Sequence, residues 1–362
     1  MVMIKNFFVK NKFIVALLVF AIINILISYF YIGYDHRLVK DATTYFDAAQ
    51  FLQGGQPAGV VPMNRVLTTP IFLYLSIFIN SFLHDFSLSF SILNIIFYIG
   101  CVLGFYYLAR EIYSDKAAFF GSALFSFNYY VIDPSNAHLA DMGGWLFFVL
   151  ATYFAVKYIN DLNKKNYFLS VALSVVGVLF KEYGGLGLIN LILLILVSDL
   201  GNKQKIKDIL LAASMFFGVL ASYHLFVFLR YHYSYLDWYL FVHSASSVPG
   251  YEAKSFILFV KILGWLFSLG WIAFCFGLKE ELAERNLKRI KILLALLPIT
   301  LTFLIWPAIT QRLAVMFMMW LALIAGFGLS RVKWYLLYPF LSAYVWFNYN
   351  INFLIDKINL PF

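Results

Sequence analysis

The sequence predicts an all-α integral membrane protein with about eleven transmembrane helices and a structured first outer loop, and three observations lead there. Its 362 residues are 63% hydrophobic and 20% aromatic but only 12% charged, with a mean hydropathy of +0.82, outside the range of soluble domains. Apolar runs of helix length follow one another along the whole chain. The net charge of +9 comes from Lys and Arg in short clusters between those runs, as in loops that face a cytoplasm. No basic face is large enough to follow a phosphate track, so nucleic acid is not a partner.

The elements follow in order. Lys5, Lys10 and Lys12 precede the uncharged run Phe13 to Tyr34, which at 22 residues is long enough to span and lacks a small-residue cleavage motif. It reads as an uncleaved anchor with the N-terminus in the cytoplasm. Further candidates lie near 66–83, 86–109, 117–133, 142–159, 167–180, 184–198, 209–229, 256–278, 292–306, 311–330 and 334–353. If the run at 66–83 stays on the outer side, 18 Lys and Arg fall inside and 8 outside, with Lys261 in a span; if it crosses, the two numbers exchange. The positive-inside rule therefore selects the non-crossing reading. Thr69 followed by Pro70 is a good helix start, and the residues that remain suit an interfacial helix over 69–83. Residues 35–85 then become a structured outer loop, within a single membrane domain over 1–362. A second outer loop, 230–255, is rich in aromatic residues and is expected in the headgroup region. No internal repeat is visible. Cys101 and Cys275 lie inside apolar runs and read as small core residues, with no disulfide or zinc spacing.

Charges that persist at the outer ends of spans are the informative ones, because each is costly unless it faces a cavity or a partner. Asp41, Asp47, Arg65, Asp141, Lys181, Glu182 and Arg312 qualify, and Asp35 competes with Asp41. A helix starting near Asp41 puts Tyr45 on the same side, and capping alone would explain one aspartate. An acid recurs at Asp141, beside His138 and Asn136. Lys181 and Glu182 follow a run of about 14 apolar residues, roughly 21 Å of helix against a hydrocarbon core of roughly 30 Å, so they are expected to sit recessed. They read either as a mutually neutralising pair or as a pair facing a cavity. Arg312 reads either as snorkelling to the headgroups or as facing an anionic ligand. Carboxylates opposite recessed cations form the layout for displacing a lipid-linked phosphate, with a base on the nucleophile and cations on the leaving group.

Six stretches carry a resemblance: "DATTYFDAAQFLQGG", the proline-bearing amphipathic helix in "NRVLTTPIFLYL", "LAREIYSDKAAFFGSALF", "HLADMGGWLFF", "FKEYGG" and "QRLAVMFMMWLAL". In their order and sidedness the chain resembles the GT-C superfamily of polyprenyl-phosphate-sugar-dependent glycosyltransferases, which includes protein O-mannosyltransferases and aminoarabinose transferases. The resemblance implies a GT-C-like fold and transfer of a sugar from a polyprenyl-phosphate donor to an extracytoplasmic acceptor, with inversion. It makes Asp41 the catalytic carboxylate and Asp141 the second-loop acid. Lys181 and Arg312 become the donor-phosphate cations, joined by Arg65, while Glu182, His138, Tyr45 and Asp35 support. Asp133 lies eight residues before Asp141, so no DxD pair is formed; the resemblance leaves room for a divalent cation without indicating one.

Three rival classes remain. A transporter or flippase of lipid-linked or anionic solutes would also use recessed ions, but should continue them through the bilayer; the inner halves of the spans after residue 184 are nearly free of ions, with Lys261 the one exception. A surface-polysaccharide polymerase or ligase would share the donor but usually has an Arg-rich outer loop, whereas 230–255 has only Arg230 and Lys254. An accessory membrane subunit is the third.

Overall fold

The computed structural model describes residues 11–31, 40–55, 60–136, 138–245, 256–304, 314–351 and 353–354. These are helical throughout, and no strand occurs among them. Each apolar run of the sequence contains at least one helix. Among the described residues, four helices are long and apolar enough to cross a membrane: α1 (Lys12–Tyr31), α5 (Phe86–Ile112), α8 (Asp141–Asp161) and α11 (Asn202–Tyr231). A fifth is reached if α3 (Val60–Thr68) and α4 (Pro70–Leu83), bent by 103°, count as one.

That bend corrects one expectation. "NRVLTTPIFLYL" is divided between two helices, because Pro70 offers no N–H to the preceding turn and its ring disfavours helical backbone at the residue before it. Thr69 accordingly sits at φ −137°, ψ 40°. The run 256–278 also divides, into α13 (Phe256–Phe267) and α14 (Gly270–Glu284), where Ser268 takes a positive φ of 45°. A further correction concerns the cysteines: Cys101 is buried as expected, but Cys275 is exposed on α14.

The chain divides into two compact units. One comprises residues 1–31, 102–133 and 253–362. It holds α1, the end of α5, α6 (Asp115–Ser126), the first part of α7 (Tyr129–Asn136), α13, α14, α15 (Leu287–Thr300), α16 (Val315–Arg331) and α17 (Trp334–Tyr349). Helix α16 is its buried axis, packed against both α6 and α14. The approach to α14 is backbone to backbone, since a Cβ on Gly277 would lie 2.0 Å from the Ile324 carbonyl oxygen; small residues permit such contact within a membrane. Several polar groups inside this unit are paired across helices. Asn128 donates to the Leu266 carbonyl at 2.8 Å, and Tyr344 donates to that of Leu124 at 3.0 Å. At the helix ends Arg289 bridges Glu281 and Glu284, each at 2.8 Å, and stacks over Phe327.

The other unit comprises residues 32–101 and 134–252. It holds α2 (Lys40–Leu52), α3, α4, the first part of α5, α8, α9 (Lys164–Phe180), a 3-10 turn (Glu182–Leu186), α10 (Gly187–Val197), α11 and α12 (Tyr235–Ala245). Helices α8 and α9 pair closely, and the 3-10 turn folds back on both. Near the start of α11, Asp208 accepts from Tyr158 at 2.5 Å, Lys164 at 2.7 Å and Gln204 at 2.7 Å, tying α11 to α8 and α9.

Candidate functional site

Helix α2 forms because Ala42, Tyr45, Ala48 and Ala49 recur at helical spacing and are all buried. It ends where Gly54 adopts a φ of 96°, a left-handed conformation that closes helices and that glycine takes without strain. Tyr45 is the residue around which charge collects. The Arg65 guanidinium stacks over its ring at 4.4 Å, and the Arg65 Nε donates to Thr44 at 2.9 Å. The Lys181 ammonium lies 3.2 Å from the Tyr45 hydroxyl. Two cations 116 positions apart in the sequence thus meet one phenol.

Lys181 reaches that place because α9 stops beneath it. Its backbone is extended, at φ −165°, and the chain then winds into the 3-10 turn before α10 begins. Two glycines make the space. A Cβ on Gly143 would lie 2.0 Å from the Phe180 ring, and one on Gly144 would lie 2.6 Å from Tyr183 and 2.7 Å from the Lys181 Cβ. "DMGGW" in α8 and "FKEY" at the end of α9 are therefore complementary surfaces. The Lys181 side chain is 13% exposed and pairs with Glu182 at 3.6 Å. The Glu182 carboxylate beside it favours the charged ammonium against the cost of burial.

Asp141 opens α8 and is buried; Tyr183 donates to its Oδ1 at 2.6 Å. The Tyr183 ring in turn lies along that of Trp145, with centroids 6.3 Å apart. His138 is buried and its Nε2 lies 3.1 Å from the Ser87 hydroxyl and 3.2 Å from that of Ser91, at the start of α5, with Phe46 beside it at 5.6 Å. Beneath the charged groups Phe72 is a hub: its ring meets Tyr45 at 5.5 Å, Phe90 at 4.9 Å and Phe180 at 5.7 Å. This apolar floor lowers the local dielectric, which strengthens the pull of the two cations on an anion.

Of the residues singled out in the sequence, the structure gathers Tyr45, Arg65, Lys181, Glu182 and Asp141. Asp41 stands one turn before Tyr45 in α2, and its side chain lies outside the described residues. So do Asp35 and Arg312, the side chains of Asn136 and Lys261, and the 246–255 part of the aromatic loop. Sequence reasoning passed over Tyr183 and Thr44, which hold Asp141 and Arg65. The double glycine facing "FKEY" was the available signal for Tyr183.

Residues 68–228 match the family model described as dolichyl-phosphate-mannose-protein mannosyltransferase. No curated protein matches the chain. Among solved structures it resembles the Archaeoglobus fulgidus oligosaccharyltransferase in the apo form, at 13% identity and a TM-score of 0.60, covering 96% of this chain and 54% of that one. The same enzyme tethered to an acceptor peptide containing the NVT sequon gives 12% identity and a TM-score of 0.60, covering 96% and 55%. The archaeal oligosaccharyltransferase AglB from that organism, in complex with an inhibitory peptide and a dolichol-phosphate, gives 13% identity and a TM-score of 0.59, covering 98% and 53%. The chain spans about half the length of these structures, and at such identity the likeness is one of fold. Over residues 68–228, less than half of the chain, it is thus similar to that mannosyltransferase family, and over nearly its whole length it has the fold of the archaeal enzyme.

Proposed function

We propose that the chain is a membrane glycosyltransferase that moves a sugar from a polyprenyl-phosphate donor to an acceptor hydroxyl, on a glycan, lipid or protein, at the outer face of the membrane. The observation that carries this reading is the convergence of Arg65 and Lys181 on Tyr45, with Asp141 held by Tyr183 in the same unit. Two cations over an aromatic floor suit a phosphate, and charge that develops on a leaving phosphate is where fixed cations contribute most.

In this reading the acceptor O–H gives its proton to the Asp41 carboxylate, and its oxygen bonds to the anomeric carbon from the face opposite the phosphate. The bond from that carbon to the phosphate oxygen breaks, and the electron pair stays on a polyprenyl phosphate held by Arg65 and Lys181. Attack from the opposite face inverts the anomeric centre. The loop over 35–85 supplies the base and one cation, and the eleven-span arrangement with a cytoplasmic N-terminus puts both on the outer side. Support for that sidedness is the distribution of Lys and Arg in the sequence.

Asp41→Asn keeps the size of the side chain and removes its basicity. It is expected to abolish sugar transfer from a polyprenyl-phosphate donor, by at least about a hundredfold, while the protein still inserts and purifies. Full transfer by this variant would overturn the assignment of the base.

A further inference from the structure

Helix α3 has only nine residues, too few to persist without tertiary support, yet it carries Arg65. Its support comes from the far end of α11. The chain leaves α11 at His232, whose φ of 52° turns it sharply, and so brings Tyr233 back onto α3. Leu67, Val227 and Tyr233 form a buried apolar cluster, with Met63, Tyr223, Tyr231 and Trp238 packed around it. Two phenol hydroxyls then grip the residues on either side of the arginine. Tyr233 donates to the Asn64 side-chain oxygen, and Tyr223 donates to the Val66 carbonyl.

The second bond answers a local need. Within a continuous helix the Val66 carbonyl would accept from the N–H of residue 70, and residue 70 is Pro70, which has none. Thr68 and Thr69 serve the carbonyls of Asn64 and Arg65, at 2.8 and 2.9 Å. Tyr223 supplies the donor that Pro70 lacks. From its other side α3 is held by α2, through Thr44 and the ring of Tyr45.

We propose that Tyr233 and Tyr223 are positioning residues that act through Arg65: by holding residues 64 and 66 they fix the guanidinium beside Lys181, and so set the affinity of the site for a lipid phosphate. The proposal rests on the reading of Arg65 and Lys181 as donor-phosphate cations. It adds a role for the turn between α11 and α12, which touches no reacting group.

The test is equilibrium binding of a long-chain polyprenyl phosphate, without sugar, to the full chain in lipid nanodiscs, paired with thermal unfolding of the same samples. Tyr233→Phe removes one oxygen and keeps the ring in the apolar cluster; it is expected to weaken binding about tenfold. In an Arg65→Ala background the same substitution is expected to cause no further weakening, although its effect on the unfolding midpoint persists. In a Lys181→Ala background the weakening is expected to remain, because the arginine is still there to be misplaced. Tyr223→Phe is expected to repeat this pattern. Equal weakening by Tyr233→Phe with and without Arg65 would overturn the proposal in favour of a general structural role. If Arg65→Ala weakens binding and neither tyrosine variant does, the proposal fails and the cation reading stands. If neither Arg65→Ala nor Lys181→Ala weakens binding, both fail.

Discussion

Gly144 shows how much a single missing methyl controls. Its Cα lies so close to the end of α9 that a β-carbon would overlap Tyr183 and the stem of Lys181, at 2.6 and 2.7 Å. Neither neighbour can retreat easily. Tyr183 is committed to Asp141, and the Lys181 Cβ is fixed by the extended backbone where the helix stops. Gly144→Ala is therefore expected to displace the turn bearing Lys181, to cost about 1 to 3 kcal/mol of stability as overpacking does, and to weaken polyprenyl-phosphate binding. Thermal unfolding in detergent and the nanodisc binding measurement read the two effects separately. Asn is tolerated in some left-handed positions that favour glycine, but here the constraint is space, so no side chain relieves it.

Among the elements, α11 is placed largely by polar contacts. Only 11% of its apolar window is buried, so packing alone holds it weakly. Near its start Asp208 collects Tyr158 from α8, Lys164 from α9 and Gln204 one turn earlier in α11 itself, while Tyr167 donates to the Asp208 carbonyl at 2.6 Å. Removing the carboxylate leaves those donors unpaired. Asp208→Ala is expected to cost about 2 to 4 kcal/mol, measured by denaturant titration in mixed micelles, and to loosen α11 from α8 and α9. How far such elements could be read from sequence depends on the range of the forces that fix them. Helices α1, α5, α8 and α11 announce themselves by apolar length, and the break before α4 by a proline, since those signals lie within a few adjacent residues. The grip of Tyr233 on Asn64 joins positions 169 apart, and the nesting of "FKEY" against two glycines depends on a shape that exists only after α8 and α9 have paired. Neither leaves a periodic trace. Tyr183 thus went unnoticed in a motif whose lysine and glutamate drew attention by their charge, and Cys275 was misplaced because an apolar run does not distinguish the protein core from a surface that meets lipid.

For the whole molecule, the arrangement of Lys and Arg bears on sidedness, and sidedness is measurable. In a background with Cys101 and Cys275 replaced by serine, Asp85→Cys is expected to react with an impermeant thiol reagent added from outside the cell. Labelling only after the cytoplasmic side is opened would put α3 and α4 together across the membrane and overturn the eleven-span arrangement. The background is practical, because Cys275 is exposed and Cys101 is a single buried thiol at the middle of a long helix. The structures that share the fold are about twice the length of this chain, so the correspondence covers about half of each.

The thirty residues of α11 measure roughly 45 Å, but its apolar run over 209–229 measures roughly 32 Å, close to the roughly 30 Å of hydrocarbon that a bilayer offers. In a thinner bilayer a free helix would lean until it fitted. This one is fastened near its first turns by Asp208 and near its last by the tyrosines that grip α3, so leaning is restrained at both ends. A bilayer of unsuitable thickness would therefore strain the same helix that steadies Arg65.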